Sequence, residues 1–186
     1  AGAFRWHRVT LSNILAPENG GACYEGVNNE LNCDFNANNL WMANGGVAAR
    51  VNAGGSTTVL GTLADWQKHM WEKCGAQADP RSFSRDPAFA DPAQNDYSLK
   101  SFGGRWRLYS AAQTNGYWFA DPDQHSPCVD AGHPSYTDRL SYEPPPNGGR
   151  MNMGSYGGTA YASKTHPGCF LLAMAPDYEQ APQEYQ

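Results

Sequence analysis

Apolar residues along this chain come mostly in short clusters, set between runs of Asn, Gly, Ser and Pro. That pattern predicts short strands and turns, with little helix. In Arg8 to Leu15, RVTLSNIL, Val9 and Leu11 alternate inward before Asn13, and Ile14 and Leu15 follow. This reads as a strand running into a turn, where an Asn can bond neighbouring backbone or, in stacked coils, form a ladder. From Asn28 to Asn44 the asparagines Asn28, Asn29, Asn32, Asn36, Asn38, Asn39 and Asn44 surround two apolar islands, Cys33-Asp34-Phe35 and Leu40-Trp41-Met42. Val47 to Val51 predicts another short strand, ended by Gly54-Gly55.

One segment has a helical period. Across Thr62 to Lys73, Leu63, Trp66 and Met70 fall on one face. Thr62 is a good N-cap, with Asp65 three residues on as its capping-box partner, and Gly75 supplies the C-cap. Trp66 is expected to pack this helix onto a β-core. Asp79 to Asp96 then reads as a Pro- and Asp-marked connection. Arg105 to Tyr109 alternates Trp106 and Leu108 against Arg105 and Arg107, and Tyr117-Trp118-Phe119 follows the turn signal Asn115-Gly116. This predicts a β-hairpin.

Ser126 to Thr165 is dominated by turn residues. Pro144, Pro145 and Pro146 favour an extended path, and Asn147-Gly148-Gly149 supplies a turn. Met151 and Met153 alternate with Asn152 as a very short strand, before Gly154, Gly157 and Gly158. The whole stretch reads as chain wrapped back onto something already folded. Pro176 to Gln186 is acidic and polar, and is expected to be extended or disordered unless a neighbour binds it.

The motifs DPAFADPAQNDYSLKS (Asp86 to Ser101), GGRW (Gly103 to Trp106), SPCVDAGHP and EPPPNGGRMNMGSYGGTAYASK occur in that order. Together they resemble the C-terminal part of bacterial extracellular right-handed parallel β-helix repeat proteins of the pectate-lyase-like superfamily. The resemblance implies a mostly β fold: right-handed parallel β-helix coils, one short packed helix and an irregular C-terminal wrap. The expected divisions are coils over 1–60, the helix and connection over 61–100, the hairpin and closing segment over 101–175, and a tail over 176–186. A first coil reached after only AGAFRWH would expose an apolar cross-section, which predicts upstream coils or a covering subunit.

Composition narrows the function classes. The chain has 186 residues, enough for a real core. Only 17% of residues are charged and mean hydropathy is -0.64, so polarity comes from Asn, Gln, Ser, Thr and Gly. Twenty Gly and thirteen Pro argue against a helical bundle. A net charge of -5 speaks against a nucleic-acid partner. The longest apolar run, Phe170 to Ala175, is far too short for a membrane-spanning helix.

Candidate chemistry is sparse. Cys23, Cys33, Cys74, Cys128 and Cys169 make an odd count, with Cys23 and Cys33 as the candidate local disulfide. No Cys/His zinc spacing is present, and His7, His69, His125, His133 and His166 are scattered. Asp86, Asp91 and Asp96 are candidate calcium ligands, though Asp-Pro pairs also serve simply as turns. No pattern selects a lyase base or a glycosidase carboxylate pair, so no catalytic residue is nominated. Six Trp and ten Tyr are many for this length. Trp41, Trp106, Tyr117 and Trp118 are the candidate sugar platforms, against the alternative that they fill and cover the core.

The expected function is that of a secreted extracellular or cell-surface structural or adhesive β-helix protein. Its expected partners are neighbouring subunits or upstream coils, with polysaccharide contact. The alternatives are the C-terminal part of a β-helix polysaccharide lyase or glycoside hydrolase, and a carbohydrate-binding module.

Overall fold

The computed structural model describes residues 8–11, 13–17, 20–27, 33–43, 45–75, 77–109 and 115–166. The chain divides into two units, 1–85 and 86–186. The expected tail over 176–186 lies outside the described residues.

Unit 1 begins with six strands: β1 (Arg8–Leu11), β2 (Ile14–Leu15), β3 (Ala22–Val27), β4 (Cys33–Asn36), β5 (Asn39–Leu40) and β6 (Val47–Ala53). They pair parallel as β1 with β4, β2 with β5 and β3 with β6. The spacing is constant, since Arg8 faces Cys33, Ile14 faces Asn39 and Ala22 faces Val47. Asparagine helps hold the register: Asn38 Oδ1 accepts from the Asn13 backbone N–H at 3.0 Å. Asn39 exchanges two bonds with the backbone of Arg85, donating to its carbonyl at 2.8 Å and accepting from its N–H at 3.1 Å.

The expected right-handed parallel β-helix does not form. After β6 the chain reverses at Gly54 and Gly55, whose φ values are 57° and 80°. Two consecutive left-handed residues make a tight hairpin. β7 (Ser56–Leu60) therefore returns antiparallel along β6, from Ala53 facing Ser56 to Ala49 facing Leu60. A stacked coil would need the next strand to run parallel. Beyond this point the only parallel contact among the described residues is an isolated bridge, Asn39 to Phe83. Among the described residues the result is a set of small separate sheets of two or three strands with one α-helix, and no solenoid.

That helix is α1 (Leu63–Cys74). The Thr62 side chain accepts from the Asp65 N–H at 3.1 Å, and Asp65 Oδ2 accepts from the Thr62 N–H at 3.0 Å, completing the capping box. Gly75 ends the helix in the left-handed region and donates its N–H to the Trp71 carbonyl at 2.9 Å. The buried face carries Trp66 and Met70 onto Tyr24, Phe35, Leu40, Ala49, Val51 and Leu60. Burying each large apolar side chain contributes about 1.5–3 kcal/mol.

Asp79 is fully buried in unit 1, in the left-handed region at φ 52°. Its Oδ1 accepts from the Tyr24 hydroxyl at 3.2 Å, from Asn38 Nδ2 at 3.1 Å and from the Ser82 hydroxyl. Its Oδ2 accepts from the Trp66 indole N–H at 2.8 Å. This carboxylate ties β3, the Asn-rich turn and α1 to one point.

Unit 2 opens with β8 (Phe89–Asp91) and β9 (Asp96–Leu99), which pair antiparallel around a short 3-10 turn at Pro92–Gln94. A second antiparallel pair follows, β10 (Arg105–Leu108) and β11 (Gly116–Phe119). The hairpin forms as expected, but Gly116 lies within β11 opposite Leu108, not in the turn.

From 120 to 166 the described chain has no strand and one 3-10 turn, Leu140–Tyr142. The short strand expected at Met151–Met153 is absent. Side-chain bonds take the place of a ladder there. Buried Asn152 accepts from the Asp130 N–H at 2.8 Å and donates to the Ser163 carbonyl at 2.7 Å. Glu143 Oε1 accepts from the N–H groups of Asn152 at 2.8 Å and Gly158 at 2.7 Å. Asp130 accepts from the Gly148 N–H at 2.9 Å and the Thr165 hydroxyl at 2.5 Å. Gly148 has no room for a side chain, because a Cβ would sit 2.5 Å from the Asp130 carboxylate.

Candidate functional site

The base of the β10–β11 hairpin is fixed by charge. Arg105 is buried, and its guanidinium reaches Asp121 Oδ1 at 3.2 Å and Asp96 Oδ2 at 3.0 Å. Asp121 also accepts from the Ser101 N–H at 2.9 Å. A buried arginine needs such paired acceptors. Here they anchor the first residue of β10 against β9 and the chain after β11.

Strand alternation then sorts the aromatic residues onto two faces. Trp106 lies directly opposite Trp118, with ring centroids 5.4 Å apart in an edge-to-face arrangement. Tyr161, from the closing segment, joins Trp106 at 5.9 Å. Lys164 Nζ stands over the Trp118 ring, 4.1 Å from its centroid, within cation–π range. The Trp106 indole N–H is enclosed and meets no acceptor among the described residues. That ring is therefore held by packing, and Gly116 makes the space for it: a Cβ there would lie 2.9 Å from the indole. On the other face Tyr117 packs against Tyr109 at 5.1 Å, and Arg105 and Arg107 both lie over Phe119.

The candidate sugar platforms are thus divided. Trp106 and Trp118 meet on one face of the hairpin, and Tyr117 occupies the other. Trp41 belongs to unit 1, half-buried, with its backbone N–H on the Leu15 carbonyl at 2.8 Å. Sequence reasoning missed Tyr161 and Lys164, which lie more than forty residues beyond the hairpin; no local pattern links them to it. It also gave no sign that six tyrosines, Tyr97, Tyr109, Tyr136, Tyr142, Tyr156 and Tyr161, would be exposed in unit 2.

The other polar clusters look inward. Burial raises Asp79, Asp130 and Glu143 above ordinary carboxylate values, against the lowering effect of their hydrogen bonds. For Glu143 the neighbouring charge of Asp130 adds to the rise. Asp79, Asp130 and Glu143 Oε1 are bound to the protein's own donors, while the buried Glu143 Oε2 meets no donor among the described residues. The His125 ring stacks on Phe102 at 5.3 Å and accepts from the Phe102 N–H at Nδ1, while His166 meets the edge of Phe102. Burial depresses His125 below the ordinary histidine value.

Asp86 Oδ1 accepts from the Ala88 N–H at 2.8 Å, and Asp96 is bonded to Ser98 and Arg105. Both act as turn and anchor groups, and among the described residues no three His, Cys, Asp or Glu side chains converge on a metal position. Cys23 donates its thiol to the Leu15 carbonyl at 3.6 Å; the side chain of Cys33 lies outside the described residues. Among the described residues no helix is long and apolar enough to cross a membrane. No family model matches this chain, and neither a curated protein nor a solved structure matches it.

Proposed function

We propose that this chain is a non-catalytic, extracellular adhesive protein that binds polysaccharide through the aromatic hairpin of unit 2. The observation that carries the reading is the cross-strand pair Trp106–Trp118 with Tyr161 set against it. Rigid aromatic side chains give large contact area at low entropic cost, and their flat faces suit the C–H faces of sugar rings. The exposed Tyr161 adds its hydroxyl group to that surface. The engagement of Asp79 and Asp130 with internal donors supports binding over hydrolysis or elimination.

The test is a panel of soluble neutral and acidic polysaccharides, assayed by affinity electrophoresis and calorimetry. Wild-type protein is expected to bind at least one of them. Trp106→Ala and Tyr161→Ala should each weaken binding about tenfold or more, the loss of one aromatic anchor. Trp71→Ala, an exposed tryptophan on α1, should leave affinity unchanged. Equal weakening by all three variants, or no binding by the wild type, overturns the reading.

A further inference from the structure

Unit 1 carries a sheet edge without the usual protection. β7 pairs with β6 on one side, in unbroken register. Among the described residues no strand pairs with its other side. Ser56, Thr57, Thr58 and Val59 are all exposed, Val59 by 56%. Proteins guard such edges with Lys, Pro, a bulge or a covering loop. The strand STTVL has no charge and no proline, and its pairing with β6 shows no bulge. Its β-branched residues are the kind that favour pairing.

We propose that β7 is a homotypic interface, where two copies of this chain pair antiparallel, β7 to β7, about a two-fold axis at Thr58. The chemistry of the strand favours a second copy as the occupant. It offers no charge by which to select a charged partner. Laid on itself, it sets Thr58 opposite Thr58, Thr57 opposite Val59 and Ser56 opposite Leu60. No like charges meet across this contact, although each chain has a net charge of -5. Thr–Thr cross-strand pairs are favourable. The contact is isologous, so it closes at a dimer. It joins two three-stranded sheets in the order β3-β6-β7-β7-β6-β3. Five residues a side fall short of the roughly 800 Å² per partner of a standard interface, so the dimer is weak and concentration-dependent. None of this depends on the polysaccharide reading.

The test is sedimentation velocity on the full chain over a concentration series, with Thr58→Lys alongside. The wild type is expected to shift from monomer toward dimer as concentration rises. Thr58→Lys, which sets two ammonium groups face to face, should stay monomeric with an unchanged far-ultraviolet circular dichroism spectrum. A wild type that is monomeric at its highest soluble concentration overturns the proposal. So does a Thr58→Lys variant that associates like the wild type. If that variant fails to fold, Thr58→Cys decides: mild oxidation should give a cross-linked dimer beyond any seen with wild type, and its absence overturns the proposal.

Discussion

Asp79 shows how much one side chain can hold. Its two oxygens collect donors from Tyr24, Asn38, Ser82 and Trp66, which come from four different stretches of unit 1. Removing the carboxylate would take the acceptor from the buried Tyr24 hydroxyl and Trp66 indole N–H. Asp79→Ala is expected to lower stability by about 1–3 kcal/mol for each buried donor that loses its acceptor, measured by urea unfolding of the full chain. Glu143 makes a different prediction. Burial raises its carboxyl above the ordinary 4.5, so the folded state holds the proton more tightly than the unfolded one. Its stabilising share is therefore fully present below pH 4.5 and is lost as pH rises through the raised folded value. Glu143→Gln removes that dependence. The melting temperature of the variant relative to wild type should climb as pH increases across this window; a constant difference would refute the assignment.

Elements differ in how far their own sequence determines them. α1 was legible because its signals are local: a cap at Thr62, a reciprocal partner at Asp65, an apolar face through Trp66 and Met70, and a glycine end. Thr62→Ala should lower stability by about 1 kcal/mol, read from the denaturation midpoint. The hairpin was legible for the same reason, through strand alternation. The β-helix expectation failed because short strands look alike whether their neighbours run parallel or antiparallel. The choice was made at Gly54-Gly55, a turn that had been read only as the end of a strand. The aromatic site was half legible. Trp106 and Trp118 lie on recognisable strands, whereas Tyr161 and Lys164 reach them only through the irregular closing segment. Gly116→Ala tests that site at the level of the hairpin. A Cβ there would meet the Arg107 carbonyl at 2.2 Å as well as the Trp106 ring. The variant should lose the near-ultraviolet tryptophan signal of the pair, and polysaccharide binding with it.

In the whole molecule, each unit has its own buried carboxylate tie. Asp79 gathers the turns of unit 1, while Asp130 and Glu143 gather the closing segment of unit 2. Much of unit 2 is held by side chain-to-backbone bonds where a sheet would use a ladder. That dependence explains why so many of its polar residues are buried and why their roles were hidden in a sequence that reads as turns. Hydrogen exchange can separate the two ties. Asp79→Ala should speed exchange across 35–79 and leave 128–158 at the wild-type rate. Asn152→Ala should do the reverse.

Cys23 turns this organisation into a clock. Its thiol rests against the Leu15 carbonyl, and burial, helped by the charge of Asp79, pushes it up to about 12. Only the thiolate is reactive, so in the closed unit an alkylating reagent at neutral pH finds almost nothing to attack. Labelling is therefore expected to be slow while the unit is closed and to quicken as it opens. Its rate at Cys23, followed peptide by peptide in a mass spectrometer, then counts how often the first unit breathes, on a timescale that no static contact reveals.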